Sequence, residues 1–316
     1  MTPSNLHVVF GAGPLGRAVT HELVRRGQAV RVVSRRGQMA EAPQGVELVA
    51  GDLYNASAVR QLAQGAAVAY QCAQPAYHEW PQKFPPLQAA IIEGLTGSGV
   101  KLVIAENTYM VGDTQGKPLT EDLPHAAHTR KGKVRAAMSE AALAAHRAGK
   151  VRVALGRGSD FFGPWALGSS HGERVFYPAL AGKAASFGGK LDIPHTATHI
   201  EDFGRALVIL GERDEALGQV WHVPNDRPGI TQRQFAEMVF AETGQPVKVS
   251  AMGRLMLQFG GLFIPAAREA VEMLYEFEKP FVVDSNKFER AFGVKATPIE
   301  GAIKTTVAWY RAHPHG

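Results

Sequence analysis

The first half of the chain alternates short apolar runs with stretches whose apolar residues recur at helical spacing. Leu6 to Phe10 is almost wholly apolar, the pattern of a strand covered on both faces of a parallel sheet. After Gly11 the spacing changes: Ala18, Val19, Leu23 and Val24 share one helical face, and Gly27 closes that helix before a second strand, Ala29 to Val33. Val46 to Val49, Ala66 to Cys72, Val100 to Ala105 and Val151 to Leu155 repeat the strand signature. Between them lie helices through Val59 and Leu62, from Leu87 to Leu95, and along Thr129, Lys133, Ala137, Ala141 and Ala144. This order predicts an α/β protein with a doubly wound parallel sheet. Gly163-Pro164 marks a turn leaving that sheet. Residues 1–165, with return segments at about 195–225, are therefore expected to form the sheet domain, and 166–194 with 226–316 mainly a smaller lobe. In that lobe Val175 to Leu180 and Leu191 to Pro194 read as short strands or turns. A helix is expected from Phe203 to Leu210, a strand from Val220 to Val223, and a helix capped by Thr231. A long apolar-faced helix from about Arg254 to Phe277 and a last helix from Ile299 to Tyr310 follow.

The turn between the first strand and helix carries the first chemistry. Gly11, Gly13 and Gly16, with Pro14 and Leu15 between them, spell G-x-G-x-x-G. The first glycine allows the tight turn, the second lets a pyrophosphate reach the backbone, and the third lets the helix pack close to the strand. Its place between a buried strand and a helix predicts dinucleotide binding on a Rossmann-type sheet. At the end of the second strand stand Ser34, Arg35 and Arg36, not an acid that would accept from ribose hydroxyls. Guanidinium groups beside a small hydroxyl suit a 2'-phosphate, so NADP is expected as cofactor, with NAD the alternative. Asp52 and Leu53, after the third strand, are candidates to hold the adenine, although Asp52 equally suits a helix N-cap. Ala73 and Gln74 follow the fourth strand where the central crevice opens, and are expected to line the cofactor's ribose.

Composition narrows the class. The chain has 316 residues, is 45% hydrophobic, carries a formal charge of +5 and has one cysteine, Cys72. The densest basic patch, Arg130, Lys131, Lys133 and Arg135, is short and lacks aromatic platforms, so it reads as solvated surface and no nucleic-acid partner is expected. One cysteine excludes an internal disulfide and suits a reducing cytoplasm. No apolar stretch reaches 18 residues and the 12 histidines show no ligand spacing, so neither a membrane partner nor a metal is expected.

Together these segments resemble the extended short-chain dehydrogenase/reductase superfamily, the branch of NAD(P)-dependent sugar epimerases, dehydratases and ketone reductases. The likeness is carried by the glycine turn, GDL at 51–53, ENTYMVG at 106–112, GRGSDFFGP at 156–164, HTATHIEDFGRAL at 195–207 and DSNKFERAFG from 284. It implies a seven-stranded cofactor domain, a C-terminal substrate lobe and a possible homodimer through helices of the large domain. It also implies a tyrosine four residues before a lysine and, earlier, a hydroxyl that polarises the substrate carbonyl. Here Thr129 stands at the tyrosine position, Lys133 matches the lysine, and Asn107 or Thr108 matches the earlier hydroxyl. Thr129 cannot replace a phenol, because its alcohol ionises far above tyrosine's pKa of about 10.

Tyr109, close behind the fifth strand, offers a replacement. On this reading Tyr109 donates the proton, Asn107 or Thr108 bonds the substrate oxygen, and Lys133 orients the ribose. The expected function is an NADP-dependent oxidoreductase acting on a carbonyl or activated alkene of a small organic substrate. Two alternatives stand beside it. One is a non-catalytic NADP-binding sensor or regulatory protein. The other is a nucleotide-sugar epimerase or dehydratase, which needs a diphosphate site for which Arg157, Lys183, Lys190, Arg233 and Arg268 are candidates. Tyr77, His78 and Trp80 either shape a pocket or cover the sheet edge, and the apolar stretch Leu255 to Ile264 lines a substrate chamber, a subunit contact or the core.

Overall fold

A computed structural model describes residues 5–253 and 271–314. In chain order the elements are β1 (Leu6–Phe10), α1 (Pro14–Arg25), β2 (Ala29–Ser34), β3 (Glu47–Ala50), α2 (Ala56–Leu62), β4 (Val68–Gln71), α3 (Trp80–Leu95), β5 (Lys101–Glu106), α4 (Arg130–Arg147) and β6 (Arg152–Arg157). There follow β7 (Asp160–Phe162), α5 (Glu173–Leu180), β8 (Ala185–Gly188), β9 (Ala197–His199), α6 (Ile200–Glu212), β10 (Val220–His222), α7 (Gln232–Thr243), β11 (Val249–Met252), α8 (Asn286–Phe292) and α9 (Ile299–Ala312). The chain divides into two compact units. The first holds 1–110, 131–157 and 203–223, and the second 111–130, 158–202 and 224–316. The loop before α4 thus joins the second unit.

The first unit is a seven-stranded sheet in the order β10-β6-β5-β4-β1-β2-β3. Every pairing in it is parallel. The order reverses between β1 and β4, the switch point outside which an open α/β sheet binds its ligand. Val8, Val9, Phe10, Leu102, Ile104, Val153 and Leu155 are fully enclosed, which is why these strands read as near-continuous apolar runs. Helix α3 begins at Trp80, seven residues before the expected Leu87, because proline in a first turn lacks only a donor that would be unpaired there. Pro85 and Pro86 remain inside it, and the helix is held by one apolar stripe, Trp80, Phe84, Leu87, Ile91 and Leu95.

The second unit is built from helices and two short parallel sheets, β7 with β9 and β8 with β11. Val175 to Leu180, expected as strand or turn, is helix α5: its buried Val175, Phe176 and Ala179 follow a helical repeat despite the strand-forming side chains of the first two. These residues pack with Phe235, Val239, Ile303 and Tyr310 of α7 and α9 in one core. Thr231 caps α7 through a reciprocal box with Gln234. The greater part of the expected helix 254–277, with the stretch Leu255 to Ile264 and Arg268, lies outside the described residues. Val271–Phe277 is a 3-10 segment.

Candidate functional site

The glycine turn joins β1 to α1 at the switch point. Gly11 has φ +113, which a side chain rarely tolerates, and a Cβ there would meet the Ala73 nitrogen at 2.7 Å. A Cβ on Gly16 would lie 1.9 Å from the Gly11 carbonyl oxygen, so the helix can approach the strand only with glycine at that position. Gly13 differs: a Cβ there would meet no atom within 4 Å. It is the N-cap of α1 without a side-chain cap, and Pro14 follows in the first turn. The space kept open beside an uncapped helix N-terminus is the cradle a dinucleotide pyrophosphate needs, so these residues fit the expected cofactor.

The remaining cofactor candidates divide. Ala73 is half-buried beside Gly11, and Gln74 is exposed next to it. Asp52 is exposed and accepts from the Tyr54 backbone N–H at 2.9 Å. It is not the N-cap of α2, since Asn55 fills that place. Leu53 is only 8% exposed and packs with Val33 and Val59 in the core. The Ser34 hydroxyl closes its own turn with Gln38, and Arg35 and Arg36 are exposed.

At the carboxyl end of β5 the side chains gather. Asn107 caps the turn after the strand, accepting from the Tyr109 N–H at 3.4 Å, and Thr108 is buried. The hydroxyls of Tyr109 and Tyr77 are 3.3 Å apart. The Trp80 ring lies against both, at 6.1 Å and 5.0 Å between centroids. The lysine beside this group is Lys131, whose Nζ stands 4.4 Å from the Tyr77 ring centroid. Lys133 is exposed. Thr129, four residues before Lys133, precedes α4, and its hydroxyl donates to the Met273 sulfur at 3.5 Å. Helix α4 instead turns Lys131 and Arg135, four apart, toward the sheet. The basic patch read as solvated surface is therefore half buried: Lys131 is 0% and Arg135 1% exposed.

Beneath these residues Arg135 and Arg157 enclose Glu106. Arg157 Nε donates to Glu106 at 3.0 Å, Arg135 Nη2 is 3.6 Å from its other oxygen, and the Ser139 hydroxyl joins Glu106 to Arg157. Glu106 and Arg157 are register partners in adjacent strands. Opposite charges at the ends of two neighbouring apolar strands were the signal that could have found this pair. Cys72, directly after β4, is desolvated and its thiol pushed up to about 12, so no thiolate forms near neutral pH.

The described diphosphate candidates have different surroundings. Arg157 is occupied by Glu106 in the first unit. Lys183 and Lys190 are exposed, and Arg233 forms a two-bond pair with Asp192 in the second. That unit has another polar cluster: His195 Nε2 is 2.8 Å from Asp160, and the His171 ring stacks on His195 at 5.5 Å. The His195 and Ser170 hydrogen bonds hold the Asp160 carboxyl below its ordinary range against its burial, whereas burial and the Asp160 charge push Glu276 well up.

Residues 7–223 match the family described as the NAD dependent epimerase/dehydratase family. The chain belongs to that family. It is accordingly an epimerase/dehydratase-like enzyme using a nicotinamide dinucleotide. No functionally curated protein matches it. Solved structures similar in fold include an epimerase from Methanothermobacter thermautotrophicus, at TM-score 0.80 and 16% identity over 98% of this chain and 92% of that one. The dTDP-glucose 4,6-dehydratase of Bacillus anthracis in complex with NAD matches at TM-score 0.78 and 16% identity, covering 97% and 96%. The UDP-glucuronic acid 4-epimerase of Bacillus cereus, in complex with UDP-glucuronic acid and NAD, matches at TM-score 0.78 and 14% identity, covering 98% and 100%. The NADP expectation is overturned: the family's description names NAD, and both complexes hold NAD. The arginines behind that expectation are solvent-facing, and the serine hydroxyl beside them is committed to its own turn. Among the described residues no helix is long and apolar enough to cross a membrane, and no group of three or more His, Cys, Asp or Glu side chains is placed to hold a metal ion.

Proposed function

We propose that this protein is an NAD-dependent epimerase or dehydratase acting on a sugar carried by a nucleotide diphosphate. The observation that carries the reading is the family match, which runs unbroken from β1 to β10 and so takes in the whole cofactor sheet. The earlier preference for a reductase of small carbonyl compounds gives way to it. Gly11, Gly13 and Gly16 with the N-terminus of α1 would hold the pyrophosphate, and Asp52, Ala73 and Gln74 lie on loops that would flank the nucleoside halves. The bound dinucleotide supplies a reversible hydride acceptor at the sugar carbon.

This chain's residues supply the proton chemistry. Thr129 is buried against Met273 and has no phenol, so Tyr109 is the group we assign to take and return the proton of the sugar hydroxyl. It stands on the loop after β5, at the carboxyl end of the sheet. Asn107 fixes the turn that presents it. The test is incubation of the full chain and NAD with UDP- and dTDP-hexoses, with products read by NMR. An epimerised or 4-keto sugar is expected, and Tyr109→Phe should lower turnover about 10²- to 10⁴-fold, the usual contribution of a general acid-base group. Failure to convert any nucleotide hexose would remove the reading.

A further inference from the structure

Three features of the first unit bear on the Tyr109 phenol. Its hydroxyl is 3.3 Å from that of Tyr77, close enough for one to donate to the other. The Lys131 ammonium, fully buried, lies over the Tyr77 ring at 4.4 Å. A cation over a phenol face is held by the ring's electron density, and more strongly once the ring carries the charge of a phenolate. Arg135, one turn further along α4, interacts electrostatically with Tyr109, and its guanidinium also lies 4.7 Å over the Phe84 ring. Burial lowers the Arg135 pKa, and among its neighbours Glu106 and Tyr109 act to raise it and Arg157 to lower it. Glu106 lies between Arg135 and Arg157, so two guanidiniums face one carboxylate, and Lys131 adds a third cation.

We propose that Tyr77 and Tyr109 form one proton-sharing dyad that ionises as a unit to a single anion, and that Lys131 is the positioning residue that makes it acidic. On ionisation one proton leaves to solvent, the second stays between the two oxygens, and the negative charge is shared. The proposal rests on the reading of Tyr109 as the sugar's proton acceptor. It adds Tyr77 and Lys131, at positions where neither the phenol nor the amine was expected. The site thereby recovers a phenol with a working pKa although Thr129 has none.

The experiment is a pH titration of the ligand-free, full-length protein followed by phenolate ultraviolet difference absorption. The background is favourable: of seven tyrosines, burial raises the pKa of Tyr54, Tyr70, Tyr177 and Tyr310. One phenolate is expected to appear below the ordinary tyrosine pKa of about 10. Tyr77→Phe and Tyr109→Phe should each abolish that low step, since either removal destroys the shared anion. Lys131→Met should move it up by about one unit or more, the effect of losing a neighbouring charge, and Lys131→Arg should restore it. A wild type in which every tyrosine titrates at or above the ordinary value overturns the dyad. So does a low step that survives Tyr77→Phe or is unmoved by Lys131→Met. A low step with the expected variant behaviour but no turnover of any nucleotide sugar supports the dyad and removes only the proposed substrate.

Discussion

Each unit buries a group of charges, and the two groups are made differently. In the first unit Glu106 is fixed by two arginines and a serine, with the carboxylate and both guanidiniums at most 2% exposed. In the second, Asp160 pairs with His195, His171 stacks behind it, and burial pushes the Glu276 carboxyl well above the usual carboxylate range. Arginine keeps its charge at every pH a protein survives, whereas imidazole and carboxyl groups do not. The first group is therefore a fixed electrostatic scaffold under the loop bearing Tyr109. The second is a set of protons whose balance depends on pH. In sequence the last residue of the first group, Arg157, stands three residues before the first of the second, Asp160.

The largest effect should come from emptying the scaffold of its acid. Glu106→Ala leaves two guanidiniums buried without their counter-charge, a change that costs about 3–5 kcal/mol for a broken buried pair. Urea unfolding of the full chain would measure it. A loss below about 1 kcal/mol would mean that the scaffold is no more than a surface-like ion pair.

The next effect belongs to the second unit and appears only in acid. Burial and the neighbouring His195 charge lower the His171 pKa from 6.5 to about 3, with Asp160 acting in the opposite sense. The folded imidazole stays neutral where the unfolded one binds a proton. Stability from this group is therefore complete above pH 6.5 and is lost as pH falls toward 3. Between pH 6.5 and pH 4 the loss is about 3 kcal/mol, at about 1.4 kcal/mol per unit. His171→Phe should remove that slope in a series of unfolding curves. His7 in the first unit, lowered to about 4 chiefly by burial, adds a slope of the same sign that the variant leaves in place.

How much of this the sequence disclosed depends on whether the signal was local. The turn at Gly11, Gly13 and Gly16 was legible because strand, turn and helix follow one another within twenty residues. The parallel sheet was expected from strand signatures that burial on both faces makes unmistakable, and its seven strands from the family resemblance. The cluster around Tyr109 was not legible in the same way. Lys133 was chosen by counting from Thr129, but the helix starts at Arg130, and only the packing of α4 shows that Lys131 and Arg135 face inward. Tyr77 and Tyr109 are separated by 32 residues and meet only because β4 and β5 are neighbours. Prolines hid the start of α3, and aromatic residues gave α5 the look of a strand. The NADP reading failed because exposed arginines at a strand end have the same sequence signature as a phosphate clamp.

A smaller effect of opposite sign should mark Glu276. Burial first, then the Asp160 charge, raise its pKa, so the folded state holds a proton that the unfolded state has released. Stability from this group is full below pH 4.5 and falls as pH rises toward the folded value. Glu276→Gln keeps the shape without the ionisation, and should raise the unfolding midpoint at pH 8 while leaving it unchanged at pH 4. An equal change at both pH values would assign the gain to packing instead of protons.

Ser139→Ala should have the smallest effect, and it separates charge from hydrogen-bond number in the first group. The Ser139 hydroxyl donates to Glu106 at 3.2 Å and accepts from Arg157 at 2.9 Å, so the substitution deletes two contacts. The ion pair of Arg157 Nε with Glu106 at 3.0 Å remains, as does Arg135 beside the other oxygen. If fixed charge is what the scaffold provides, the loss should be about 1.5 kcal/mol, the lower end for hydrogen bonds to charged groups, and below that of Glu106→Ala. Equal losses in the two variants would show instead that the network acts as a single hydrogen-bonded unit, in which removing any member collapses the rest. The double variant decides between these outcomes: additive losses fit independent contacts, and a loss no larger than that of Glu106→Ala alone fits one coupled group.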